Sequence, residues 1–260
     1  MEYLRGGMDS TTLDEVAAAL RQARRVLFVT GAGISADSGL PTYRGVGGLY
    51  DGMATEVGLP IEVVLSGPML RRDPALVWKH IAQVESACRG AEPNAAHRII
   101  AALQDRCEVV VLTQNVDGLH RRAGSERVIE IHGTVHQLNC TQCGWAREVP
   151  DYSRLEVPPS CPDCGGLVRP AVVLFEEMLP DGAVTALYEA LEAHFDLVFS
   201  VGTSSLFPYI AAPVAAQVQA GRPAVEINPG STDVSDMVTW RLRSGAADAM
   251  EALWSRMGAV

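Results

Sequence analysis

The sequence predicts an α/β protein whose mostly parallel sheet is covered by helices on both faces. Three observations carry this. Apolar runs of strand length recur at residues 26–30, 109–113, 197–201 and 224–227. Segments of helical periodicity separate them, and near-continuous apolar strands are what a sheet buried on both faces requires. Two of the runs also end directly in glycine turns, at Gly31 and Gly202.

The elements follow in order. Thr12 is expected to cap a first helix, with Glu15 three residues on completing a capping box. Leu13, Val16, Ala17 and Leu20 form its apolar stripe. The strand at 26–30 feeds into Gly31-Ala32-Gly33, and a strand, a glycine turn and small residues opening a helix make a phosphate-binding context. The pattern G-x-G-x-x-A is complete with Ala36. No strand ending in Asp or Glu follows about twenty residues on, as a dehydrogenase fold would place it, which argues against hydride transfer. Residues 60–92 read as two short helices broken at Gly67-Pro68, the second opened by Asp73-Pro74. Asn94 caps a helix at 95–103, and strands are expected at 109–113 and 128–131. Core texture returns at 171–175 (AVVLF), before a helix at 183–193 and the strand at 197–201. A helix from Pro208 to Ala220, the strand at 224–227 and a last helix at 246–257 complete the chain.

Composition narrows the function. A chain of 260 residues with 48% hydrophobic and 20% charged residues can bury a substantial core. A formal net charge of -10 leaves no basic surplus to neutralise phosphates, so general nucleic-acid binding is not expected. No apolar run reaches membrane-span length and the first residues lack an apolar signal segment, so no membrane partner is expected and the expected location is cytoplasmic.

Four of the six cysteines form two Cys-x-x-Cys pairs, Cys140/Cys143 and Cys161/Cys164, with seventeen residues between them. Four thiolates suit a tetrahedral zinc and leave no open position for water or substrate, so the metal reads as structural. The surrounding segment is rich in Pro and Gly and reads as an insert held by its metal rather than by an apolar core. Cys88 and Cys107 read as buried structural thiols.

Gln114, Asn115 and Asp117 follow the end of a buried strand, the edge of a parallel sheet where ligands bind. His132, at the end of the next strand, is a general-base candidate because imidazole titrates near operating pH. His120, His97, His136, His80 and His194 compete, and spacing alone does not separate His132 from His120.

Over its full length the chain resembles the sirtuins, the NAD-dependent protein lysine deacylases. The residues that carry this are GAGIS at 31–35, GLPTYR at 39–44, TQNVDGLH at 113–120, His132-Gly133, the four paired cysteines, RPAVVLFEE at 169–177 and Gly202-Thr203-Ser204. The resemblance implies a Rossmann-like NAD-binding domain (11–41, 93–133 and 170–257), a cofactor loop and helical segment (42–92) and an inserted zinc-ribbon module (134–169). NAD and zinc are the implied cofactors, and acyl-lysine side chains of proteins the implied substrates. Gly31, Ala32, Gly33 and Ser35 would line the pyrophosphate. Tyr43 and Arg44 would belong to the cofactor loop, Gln114 would hold the nicotinamide ribose, Asn115 would position that ribose or a water, and Asp117 would bind the carboxamide. Gly202, Thr203, Ser204 and Asn228 would hold phosphate or adenosine ribose. His132 would activate the ribose hydroxyls, and Val173 and Phe175 would border the peptide cleft. The implied reaction transfers the acyl group to ADP-ribose with release of nicotinamide. Mono-ADP-ribosylation of another acceptor is the alternative from the same chemistry.

Three departures from the family pattern stand out. Phe175-Glu176-Glu177 replaces Phe-Gly-Glu, removing a residue that takes positive φ freely and adding a carboxylate at the cleft. The turn from Gly202 to Pro208 runs one residue short. Ile81 and Val84 occupy the places where the desuccinylating branch carries Tyr and Arg, so aliphatic acyl groups are expected in preference to acidic ones.

Overall fold

The computed structural model describes residues 8–42 and 57–258. Tyr43 and Arg44 lie outside these residues.

Six strands form one all-parallel sheet: β1 (Arg25–Thr30), β2 (Glu108–Thr113), β3 (Val128–Glu130), β7 (Leu197–Val201), β8 (Ala224–Ile227) and β9 (Trp240–Leu242). Their order is β3-β2-β1-β7-β8-β9, a doubly wound arrangement that reverses direction between β1 and β7. The register brings Thr30 level with Thr113 and Val201, and Val201 level with Ile227. The carboxyl ends of four neighbouring strands therefore form one edge, with the switch point at its centre.

Alternation within the strands sorts the core into two layers. Val26 and Phe28 face α1 (Ser10–Gln22), α5 (Ala95–Ala102) and α9 (Ala246–Met257), packing on Leu13, Val16, Ile100 and Leu253. Leu27 and Val29 face the other way, onto α7 (Asp181–Glu192) and α8 (Pro208–Gln219), through Leu187, Ile210 and Val214. Both layers are apolar, which is why these strands read as unbroken hydrophobic runs.

Several local expectations change. Asp9, not Thr12, caps α1: its carboxylate accepts the Thr12 amide at 2.8 Å, because an Asp three residues earlier reaches an unpaired first-turn amide. Residues 61–88 form three helices, α2 (Ile61–Val64), α3 (Gly67–Arg72) and α4 (Pro74–Cys88). Gly67-Pro68 opens α3 instead of breaking a helix, since Ser66 caps it and Pro is at home in a first turn. Asp73 caps α4 as expected. The strand β9 gave no readable signal at three residues.

The stretch at 171–175 does not join the main sheet. Strand β6 (Val168–Val172) pairs antiparallel with β4 (Gly133–Cys140), which also pairs with β5 (Ala146–Glu148). This small sheet has an apolar core, contrary to the reading of a segment held by metal alone. Val135, Leu138, Tyr152, Cys161 and Val168 pack on Leu70, Val77, Trp78 and Ile81 of α3 and α4. Trp78 is fully buried, and its indole N–H donates to the Val168 carbonyl at 2.9 Å. The helical and cysteine-bearing segments thus share one core.

Candidate active site

Two glycine turns meet at the switch point. The Gly31 amide donates to the Val201 carbonyl and the Gly33 amide to the Gly202 carbonyl, at 3.1 and 2.8 Å. Gly202 takes φ +59, and a Cβ there would lie 2.4 Å from the Ile34 nitrogen. No larger residue fits between these backbones. After β1 the chain continues as a short 3-10 helix, Ala32–Ser38, rather than the expected α-helix.

Beside the turns opens a cavity of about 980 Å³, near the upper end of small-molecule sites at roughly 300–1,000 Å³. Its walls include Gly31, Ala32, Gly33, Gln114, Asn115, His132, Gly202, Thr203, Ser204 and Asn228. Residues from five separate chain segments therefore converge on one space. Ser35 and Asp117 line a smaller adjoining recess with Asn115 and Cys88.

The polar groups hold one another. Ser35 Oγ donates to Asp117 Oδ2 at 2.7 Å, and the Leu119 amide donates to Oδ1 at 3.0 Å. Asn115 Nδ2 donates to the Gly31 carbonyl and to Ser35 Oγ at 3.1 and 3.2 Å. Burial pushes the Asp117 carboxyl up, and the bonds from Leu119 and Ser35 oppose that. Gln114 Nε2 donates to Thr203 Oγ1 at 2.8 Å, and Asn228 Nδ2 donates to the Thr203 carbonyl at 3.2 Å. The loops after β2, β7 and β8 are thereby tied together.

Geometry separates the histidines. His132 faces the cavity, with Nδ1 3.1 Å from the Gln114 carbonyl and Nε2 2.7 Å from Tyr209 Oη. A carbonyl only accepts, so Nδ1 carries the proton and Nε2 offers the lone pair. Burial lowers the His132 pKa, partly offset by the Gln114 bond. His120 is buried against Thr30 Oγ1 at 3.0 Å, its pKa pushed well down by burial and by His97. His97 is fully buried, with a pKa lowered to about 4. These two stay neutral within the body of the fold. His136 Nε2 lies 3.3 Å from the Asp117 carbonyl, His80 sits on α4, and His194 follows the end of α7, fully outside the cavity lining.

Val173 and Phe175 border the cavity together with Glu176 and Glu177. Glu176 itself takes φ +63, a left-handed conformation that a side chain makes costly. Glu177 is gripped by Arg169 through two bonds of 2.5 and 2.8 Å and accepts the Leu174 amide at 2.9 Å. Burial alone would raise the Glu177 pKa, yet these partners hold it below the ordinary carboxylate range. Sequence reasoning did not assign Glu177, Cys88 or Tyr209. Glu177 and Arg169 were visible as an opposite-charge pair within one motif, whereas Tyr209 left no local sign.

The four cysteine sulfurs lie within 4.8 Å of one another, with Cys140–Cys164 and Cys143–Cys161 separations of 3.5 and 3.6 Å. A tetrahedral zinc with bonds of about 2.3 Å needs sulfurs about 3.8 Å apart. The set fits zinc. Cys88 and Cys107 are half-buried thiols, less enclosed than expected: Cys88 ends α4 beside the recess, and Cys107 precedes β2.

Residues 31–207, which span both glycine turns, the polar cluster and the four cysteines, match the Sir2 family model. The chain belongs to the Sir2 family. It is 53% identical over 255 residues to an NAD-dependent protein deacylase 2 of Pseudomonas aeruginosa, covering 96% of this chain and 99% of the relative. Among solved structures, a Sir2 homologue in complex with NAD superposes with a TM-score of 0.83 at 32% identity, over 98% of this chain and 96% of that one. A Sir2 bound to a deacetylated p53 peptide and 3'-O-acetyl ADP-ribose gives 0.82 at 28% identity, over 94% and 97%.

Proposed function

We propose that this chain is an NAD-dependent protein lysine deacylase that transfers an acyl group from lysine to ADP-ribose and releases nicotinamide. The observation that carries the reading is the convergence of His132, Gln114 and Asn115 with both glycine turns on one cavity. Membership in the Sir2 family and the activity for which its relatives are named support it.

The cavity suits NAD. The small residues Gly31, Ala32 and Gly33 would let the pyrophosphate approach the turn without side-chain obstruction, with Thr203, Ser204 and Asn228 toward the adenosine ribose. Ser35 would act from the recess, through Asn115 and Asp117, rather than on phosphate directly. Asp117 would accept from the carboxamide, and Gln114 and Asn115 would hold the nicotinamide ribose. When bound, NAD supplies an electrophilic ribose carbon that the acyl oxygen of the substrate lysine can capture. His132 would serve as the base for a ribose hydroxyl, with its Nδ1–H remaining on the Gln114 carbonyl. An acyl-lysine peptide would enter between Val173 and Phe175 as an added strand. Tyr43 and Arg44 are proposed for the cofactor loop by resemblance alone. The proposed division of labour assigns NAD binding to 11–41, 93–133 and 170–257, with 42–92 as the cofactor loop and helical segment and 134–169 as the zinc-binding module.

The proposed location is the cytoplasm. All six cysteines are thiols, and four are grouped for a metal rather than paired as disulfides, as a reducing compartment favours. Among the described residues no helix is long and apolar enough to cross a membrane.

The test is a product assay: purified protein with NAD and an acetyl-lysine peptide, analysed by mass spectrometry. Free lysine with acetyl-ADP-ribose supports deacylation. A mass increase of one ADP-ribose on peptide or protein, without deacylation, would replace it with ADP-ribosyl transfer.

A further inference from the structure

The lone pair of the general base does not face open cavity. With its proton on Nδ1, the neutral imidazole of His132 has a single acceptor, Nε2, and Tyr209 Oη donates to it at 2.7 Å. The phenol is held there from both sides. Its ring stacks on Phe207 with centroids 5.5 Å apart and planes 13° apart, and both rings meet the His132 ring edge-on at 5.9 Å. Phe207 and Tyr209 also line the cavity. They flank Pro208, at the end of the connection that runs one residue short, where Ser205 sits at φ +57. Tyr209 is thus the second residue of α8, facing the end of β3.

We propose that Tyr209 is a catalytic residue of this chain, relaying the proton of a ribose hydroxyl to His132. The proposal rests on the deacylase reading. In the relay the ribose O–H bond breaks and its proton passes to Tyr209 Oη. The proton already on Oη passes to His132 Nε2 in the same step. The ribose oxygen keeps the electron pair with which it attacks, the phenol is restored, and the positive charge ends on an imidazolium whose Nδ1–H faces the Gln114 carbonyl. The phenol has lone pairs left to accept the incoming proton while its own hydrogen is engaged. Burial pushes the Tyr209 pKa up to about 12, so a discrete phenolate is disfavoured and the two transfers are coupled.

Among the described residues, the groups facing the His132 ring are the Gln114 carbonyl from the end of β2, and Phe207 and Tyr209 from the start of α8. The charged groups that share the cavity are Asp37, Glu176 and Glu177. Tyr209 donates to the neutral form of His132, so its loss raises the His132 pKa. A hydrogen bond of ordinary strength corresponds to about half to one pH unit.

The test compares wild type with Tyr209→Phe, which keeps the ring. In the substrate-free protein, histidine carbon-13 NMR titration follows His132, its signal identified by absence in His132→Asn. The expected result is an upward shift of about half to one unit, and an unmoved titration overturns the proposal. With NAD and acetyl-peptide, two rates are then read: exchange of labelled nicotinamide into NAD, which precedes the base, and formation of acetyl-ADP-ribose, which follows it. The relay predicts that product formation falls at least about tenfold more than exchange. Equal losses of both, or product formation at or above wild type, would show the phenol to be only packing or only a cap on Nε2. Absence of both rates in the wild type would refute the deacylase reading instead, while the NMR shift would still report the bond.

Discussion

The Gly33 amide donates to the Gly202 carbonyl at 2.8 Å, joining the turn after β1 to the turn after β7. This bond spans the switch point of the sheet, and the cavity opens directly beside it. A Cβ on Gly33 would lie 2.7 Å from Gly202 Cα and 2.8 Å from its carbonyl oxygen, both backbone atoms that cannot turn aside.

Gly33→Ala is therefore expected to pry the two turns apart. Overpacking of this kind costs about 1–3 kcal/mol, and the displaced turns should weaken NAD binding by at least about tenfold. Thermal unfolding and a calorimetric NAD titration check this. Undiminished affinity would show that the turns do not form the cofactor floor.

Asp117→Asn should weaken nicotinamide recognition more than adenosine binding, because Asp117 lies in the recess with Ser35 and away from Thr203 and Asn228. Calorimetry with NAD and with ADP-ribose separates the two. Equal loss for both ligands contradicts the assignment.

Zinc should be present at one equivalent per chain. Its removal is expected to release the knuckles at 140–144 and 161–165, where the Cys140 amide bonds the Trp145 carbonyl, without unfolding α4. The reason is the shared core around Trp78, to which Cys161 alone of the four ligands contributes a buried side chain and which is otherwise built of residues that bind no metal. Hydrogen exchange after chelation reads both regions. Equally fast exchange in α4 would mean that the metal holds the whole module, and active protein with much less than one equivalent would remove zinc from the account.

The buried histidines make stability depend on pH. The folded His97 pKa is about 4 against an ordinary 6.5, with burial the leading cause. Below pH 6.5 the unfolded chain binds a proton that the folded chain refuses, so stability falls as pH drops from about 6.5 to about 4. At pH 5 the loss from His97 is about 2 kcal/mol relative to neutral pH. Urea unfolding of wild type and His97→Asn at pH 7 and pH 5 should show the variant losing less by about that amount. Identical losses would contradict a neutral buried His97.

Leu76, Val77, Ile81 and Val84 of α4 all belong to or pack against the apolar core, and of these Ile81 and Val84 also line the cavity, so these two can meet an acyl group. Among the described residues no arginine or lysine lines the cavity, and Glu176 and Glu177 add negative charge. A succinyl carboxylate would be desolvated there without a partner. kcat/KM for an acetyl-lysine peptide should exceed that for its succinyl counterpart by at least roughly tenfold, about 1.4 kcal/mol. Equal turnover would reveal a cationic partner.

What could be read from the sequence was local. The four cysteines, the strand at 197–201 and the polar run at 113–120 announce themselves through spacing within one segment. Relations across long separations did not. Trp78 reaches Val168 across 90 residues, which hid the core of the cysteine-bearing module. His132 reaches Tyr209 across 77, so no spacing could single it out from His120. The run at 171–175 reads as core texture and does supply the buried Leu174, but its apolar character does not say that its core is the one shared with α3 and α4 rather than the main sheet. Glu176 at φ +63 likewise takes a left-handed backbone shape without the glycine that would signal it.

The most direct test of the account is the activity of His132→Ala. His132 is placed as the base that ends up protonated when a ribose hydroxyl is activated, lining the cavity but holding no part of its glycine floor. Formation of acetyl-ADP-ribose from NAD and an acetyl-lysine peptide should fall at least about a hundredfold, with NAD affinity close to that of wild type. Turnover like wild type, or loss of NAD binding itself, would contradict the role assigned to His132.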